Sequence, residues 1–167
     1  MYKALQLKLS FLWVLFFVAS CVPSASTPSP IPTLAGMDEE MTRAVRQAQS
    51  TLYVLRQAML ARKPSYKLLS IKVRFISNGM IEDMWTEPID FSGDKYTVRM
   101  VEGVTIELGA HPDRFVEVDP KNVLDWMILE KDGSVFGGYT LRIEYQRLTP
   151  EQQKRYEEVT GYKFQPQ

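Results

Sequence analysis

The sequence predicts a single α+β domain, with a long N-terminal helix packed on a curved, mainly antiparallel sheet and a short C-terminal helix. Three observations lead there. One apolar stripe of helical period opens the domain, a series of period-two runs with tight turns follows, and a helix-capping signature stands near the end. No crossover helix separates the alternating runs, which argues against a parallel sheet.

A leader and a tether precede that domain. Lys3 and Lys8 form a basic start, and Leu9–Ala19 is an apolar run of eleven residues. A membrane-spanning helix needs about 20 apolar residues, so residues 1–20 read as an export signal. Val18-Ala19-Ser20-Cys21 resembles the bacterial lipobox, and Cys21 is the single cysteine in the chain. That resemblance implies a diacylglycerol thioether on Cys21, cleavage after Ser20 and acylation of the new amino terminus. Acyl chains anchor through about 0.8 kcal/mol per buried CH₂, and two chains already suffice. Val22, rather than Asp, after the cysteine favours the periplasmic side of an outer membrane. The alternative is cleavage after Ser24-Ala25-Ser26, giving a secreted or periplasmic soluble protein. Residues 21–36 form the tether, with Pro23, Pro28, Pro30 and Pro32 among small polar residues. Polyproline geometry at about 3.1 Å per residue lets Val22–Gly36 reach up to ~45 Å.

The domain occupies residues 37–167. Asp38-Glu39-Glu40 opens its helix and Arg62-Lys63-Pro64 closes it, both complementing the helix dipole. Met41, Val45, Ala48, Leu52, Leu55 and Met59 make one apolar stripe along about six turns. Such a stripe suits packing on the domain's own sheet; a coiled-coil partner is the alternative. Leu69, Ile71, Val73 and Phe75 then alternate with polar residues as a half-buried strand. Asn78-Gly79 predicts a two-residue hairpin turn. This register pairs Ser77 with Met80, Val73 with Met84, Arg74 with Asp83 and Lys72 with Trp85. It sets Trp85 on the charged face of the hairpin, away from Val73 and Phe75. The second strand runs from about Met80 to Phe91, and Ser92-Gly93-Asp94 turns the chain into Lys95–Val101. Val104, Ile106 and Leu108 predict a short strand, and Arg114–Val118 another. Asp119-Pro120 signals a helical turn over Lys121–Asp125. Trp126–Leu129, apolar on both faces, reads as a buried strand, and Asp132-Gly133 as a turn. Tyr139, Leu141, Ile143 and Tyr145 alternate with polar residues through Gln146, which predicts a further strand. Thr149-Pro150-Glu151-Gln152 is a capping box with proline at the first helical position, and its helix ends near Gly161.

Composition narrows the function classes. Lys+Arg and Asp+Glu both number 20, and removing Lys3 and Lys8 with the leader leaves 18 basic against 20 acidic residues. That balance supplies no field for drawing in nucleic acid. One cysteine forbids an internal disulfide, and one histidine, His111, forbids a zinc site of Cys and His ligands. No cofactor is expected. His111 lies in a loop-like Gly-Ala-His-Pro-Asp-Arg stretch without a nucleophile motif. Glu82-Asp83 point to opposite strand faces, and Asp90 to Asp94 lack the ligand count of a calcium loop.

Met84-Trp85, Asp125-Trp126-Met127 and Gly137-Gly138-Tyr139-Thr140 followed by Arg142 together resemble the YegJ-like bacterial family, a domain of unknown function. The resemblance covers most of Met37–Gly161. It implies a small α+β domain, exported or cytoplasmic, and carries over no settled activity, cofactor or catalytic residue. The Pro-rich tether departs from the pattern and bears on placement rather than on the domain.

The candidate binding residues are Asp125, Trp126, Gly137, Gly138, Tyr139 and Arg142, with Trp85 and Arg74 as a second surface. Trp and Tyr can floor a site, and Arg142 can offer a fork to a carboxylate or phosphate. The competing reading makes Trp126 a core plug, the glycines a sheet corner and Arg142 the partner of an acid. The function expected is a lipid-anchored envelope module that binds a protein or envelope component without chemistry of its own. An immunity-type partner for a toxin and an envelope hydrolase using carboxylates are the alternatives.

Overall fold

The computed structural model describes residues 37–77, 79–100 and 114–165. The leader, the tether with Cys21, Asn78, the Val104–Leu108 run and His111 lie outside them. The elements are α1 (Glu39–Ser50), α2 (Leu52–Ala61), β1 (Tyr66–Ser77), β2 (Met80–Ser92), β3 (Lys95–Arg99), β4 (Phe115–Val118), β5 (Val123–Glu130), β6 (Ser134–Gly137), α3 (Tyr139–Gln146), α4 (Pro150–Thr160) and β7 (Lys163–Phe164). The strands form an open sheet in the order β4-β3-β2-β1-β5-β6-β7. Every pairing is antiparallel except the short one between β6 and β7.

The opening helix starts as expected, with the Asp38 carboxylate accepting the Met41 N–H at 2.8 Å. It is not one long helix, however. Thr51 divides it into α1 and α2. The cause sits outside the helix. The Trp126 indole N–H donates to the Ala48 carbonyl and to Thr51 Oγ1, each at 3.1 Å. Thr51 Oγ1 in turn donates to the Gln47 carbonyl at 2.8 Å. Side chains inserted into the backbone ladder in this way bend or break a helix. The apolar stripe still faces the sheet. Ala48, Leu52 and Leu55 pack with Ile71, Val73, Val98, Trp126 and Ile128 in the main core.

The hairpin register agrees with the two-residue turn: Ser77 pairs with Met80, Val73 with Met84, Arg74 with Asp83 and Lys72 with Trp85. Trp85 therefore lies on the sheet face opposite Val73. It packs against a second cluster built on Met127, Leu129 and Val135, to which Leu141, Tyr162 and Phe164 also belong.

Two expectations fail locally. The helical turn after Asp119 covers only Pro120–Asn122, because pairing with β1 claims Val123 and Asp125 for β5. Tyr139–Gln146 is a helix, not a strand. Gly137 and Gly138 have φ of +71° and +64°, which swings the chain off the sheet before alternation can be used for pairing. The closing helix keeps its predicted capping box at Thr149 and Gln152 and its Gly161 stop.

Candidate functional site

Six of the sequence candidates meet at one corner, where β5, β6 and α3 join. β5 is buried on both faces up to Leu129, so a carboxylate on it must be satisfied internally. Asp125 is fully buried. Its Oδ1 accepts the backbone N–H of Trp126 at 2.8 Å and of Tyr139 at 3.0 Å. Oδ2 accepts the Thr140 N–H at 2.7 Å, the Thr140 hydroxyl at 2.8 Å and the Leu141 N–H at 3.4 Å. Asp125 thus caps α3 from a neighbouring strand, since the residue in the cap position, Gly138, has no side chain to do so. Burial pushes the Asp125 carboxyl above its ordinary range, while the donors from Thr140, Trp126 and Tyr139 pull it back.

The remaining members lock the same corner. A Cβ on Gly137 would stand 2.4 Å from the Trp126 carbonyl oxygen and 2.7 Å from its ring. The Gly138 N–H donates to that carbonyl at 2.7 Å. Arg142 Nε donates to the Gly137 carbonyl at 2.8 Å and Nη2 to the Val135 carbonyl at 3.0 Å. Its partners are backbone carbonyls rather than an acid. Burial pulls the guanidinium below its ordinary range, against the nearby Tyr139 and Asp125. The Tyr139 ring meets Trp126 edge-on with centroids 5.9 Å apart. Trp126 is 2 % exposed, so it and Asp125 offer no face to a ligand as the domain stands.

Trp85 and Arg74 belong to a different region. Arg74 Nε and Nη2 donate to the two oxygens of Asp83 at 2.6 and 2.7 Å, a bidentate pair. That bond holds the Arg74 guanidinium above its ordinary value. The Lys72 ammonium stands 5.9 Å from the centre of the half-buried Trp85 ring and 2.9 Å from Glu144 of α3. Beside them is a polar cleft of about 310 Å³, lined by Met37, Asp38, Met41, Lys72, Arg74, Asp83, Leu124, Thr140, Glu144 and Arg147. Arg147 closes one side by pairing with Asp38 at 2.7 Å and Glu40 at 2.9 Å. The Met41 N–H, and then Arg147, hold the Asp38 carboxyl below the usual range.

The alternation in Tyr139–Gln146 predicts a strand, so nothing in that pattern brings Thr140 and Glu144, or Arg147 just beyond them, to this cleft. Their i, i+4, i+7 spacing was the signal: on a helix it places all three on one face. Chemically the cleft is a set of matched donors and acceptors. Each of its carboxylates already holds a cation: Asp83 holds Arg74, Glu144 holds Lys72 and Asp38 holds Arg147. Asp125 does not line it, and reaches it only through Thr140. Among the described residues no group of three or more His, Cys, Asp or Glu side chains is placed to hold a metal ion.

Residues 38–164 match the family described as "Uncharacterized protein conserved in bacteria (DUF2314)". The chain belongs to this family. The matched segment runs from the Asp38 cap of α1 to Phe164, the last residue of β7. The DUF2314 domain is therefore the whole folded unit described above, including the buried corner and the cleft beside Trp85. Comparison with curated proteins and with solved structures gave no match.

Proposed function

We propose that this DUF2314 chain is a non-catalytic binding module, held at the bacterial cell envelope by lipid on Cys21, which engages a protein partner through the Trp85 cleft. The cleft carries the binding half of this reading. Lys72, Arg74 and Arg147 line it with Asp38, Asp83 and Glu144, and the half-buried Trp85 ring adjoins it through Lys72, whose ammonium stands 5.9 Å from the ring centre. A phosphate ligand would favour cations of one sign left open. A surface of paired opposite charges beside an aromatic ring suits a polypeptide that brings charges of both signs. The lipobox-like Val18–Cys21 stretch and the proline-rich residues 21–36 support the anchor. Met37 and Asp38 line the cleft, so a tether ending there would keep the mouth of the cleft within ~45 Å of a membrane.

Two measurements test the two halves separately. Radiolabelled palmitate should follow the wild-type chain and be lost from Cys21→Ser; an unlabelled wild-type chain removes the anchor. Cross-linking in intact membranes should capture a partner with wild-type protein and lose it with Trp85→Ala and Lys72→Glu. Identical capture by all three proteins removes the cleft from the account.

A further inference from the structure

A second pocket lies between α3, α4 and β7, with a volume of about 420 Å³. Tyr145, Tyr162 and Phe164 line it together with Glu157 and Lys163. The aromatic rings form a connected set. Tyr145 lies 5.1 Å from Phe164 and 5.7 Å from Tyr156, and Tyr156 lies 6.0 Å from Tyr162. The Tyr145 hydroxyl donates to Glu157 Oε1 and so fixes that carboxylate on the pocket wall. Among the described residues Lys163 is the only cation in the lining. Three aromatic side chains and the hydrogen-bonded Glu157 carboxylate therefore border one space. Phe164 also meets a cation, the Arg142 guanidinium, 4.9 Å from its ring centre.

We propose that this pocket binds a quaternary ammonium group of the trimethylammonium type. Such a cation has no N–H to satisfy and spreads its charge over methyl groups, which fits ring faces better than a hydrogen-bonding site. The Glu157 carboxylate supplies the counter-charge. The volume exceeds that of the headgroup alone, which leaves room for an attached chain. The source is either a free solute or a lipid headgroup, and the pocket chemistry is the same for both. The site shares no lining residue with the Trp85 cleft, so it stands or falls apart from the function proposed above.

The test is titration of the full-length chain with choline chloride, read from the aromatic ring resonances of Tyr145 and Tyr162. Choline should shift them saturably, while its neutral isostere 3,3-dimethylbutan-1-ol should not. Glu157→Gln, a shape-conserving change at an exposed position, should weaken choline binding about tenfold. Tyr162→Phe, which keeps the ring, should retain it. Phosphatidylcholine vesicles that compete with choline, against phosphatidylglycerol vesicles that do not, would assign the lipid source; no competition by either would assign the free solute. Ring resonances unmoved by choline, equal shifts from the neutral isostere, or unchanged affinity in Glu157→Gln would each overturn the proposal.

Discussion

The corner at Asp125 and the hairpin face at Trp85 both carry a tryptophan, an aspartate and an arginine, yet the side chains are used in opposite ways. At the corner the polar atoms are directed mainly at the backbone, with the Thr140 and Thr51 hydroxyls completing the set: Asp125 collects N–H groups, Arg142 collects carbonyls and Trp126 takes the Ala48 carbonyl. On the hairpin the charges address other side chains, Arg74 to Asp83 and Lys72 to Glu144, around a partly exposed indole. Backbone-directed polar groups define one chain geometry and have nothing left for a ligand. Exposed side-chain pairs such as Arg147 with Asp38 and Glu40 exchange partners at small cost, whereas the buried Arg74 is held more tightly by Asp83. A dense run of polar and aromatic residues is therefore no guide to a binding site by itself; what its polar atoms face decides.

The contrast can be broken by substitution. The largest effect is expected for Gly137→Ala, where a methyl group would meet the Trp126 carbonyl and ring at a positive φ. Strain and overpacking together should cost about 4 kcal/mol of stability in urea titration. Asp125→Ala should cost about 3 kcal/mol, because the Tyr139 and Thr140 N–H groups would be left buried without an acceptor; thermal melts measure it. Trp85→Ala, on the other face, should cost only about 1–2 kcal/mol and leave the circular dichroism spectrum native. A loss at Trp85 equal to that at Gly137 would erase the distinction between a locked corner and an open face.

The smallest change should be a gain. Tyr96 is completely buried, and its hydroxyl has no hydrogen-bond partner among the described residues. Tyr96→Phe should stabilise the domain by about 1 kcal/mol. Burial pushes the Tyr96 phenol up to about 12, against a counter-pull from Arg56. A phenol whose folded pKa is raised contributes stability present below its unfolded value of 10.0, lost as pH climbs from there to about 12. The alkaline fall in stability over that window should be shallower in Tyr96→Phe than in wild type, by denaturant titration at each pH.

The particular elements show how much could be read in advance. The hairpin was legible to the residue, because an Asn-Gly turn fixes register and register fixes which face each side chain takes. The closing helix was legible through its capping box and glycine stop. The opening helix was legible in its stripe but not in its break, since the hydrogen bonds that interrupt it come from Trp126, 75 residues beyond Thr51. The candidate site was split in the same way. Lys72, Arg74, Asp83 and Trp85 follow from the turn, whereas Thr140, Glu144 and Arg147 join them only once α3 is known to be helical.

Taken alone, the sequence determined the α+β class, the antiparallel hairpin and the positions of the caps. These rest on period, turn chemistry and local composition, which act over a few residues. Only the tertiary structure decided that Tyr139–Gln146 coils and that Asp125 and Trp126 face inward. An alternating octapeptide fits a strand or a helix nearly equally well, and the choice fell to a carboxylate on β5 that supplies acceptors for its first N–H groups. A contact so distant along the chain leaves no mark in the local pattern.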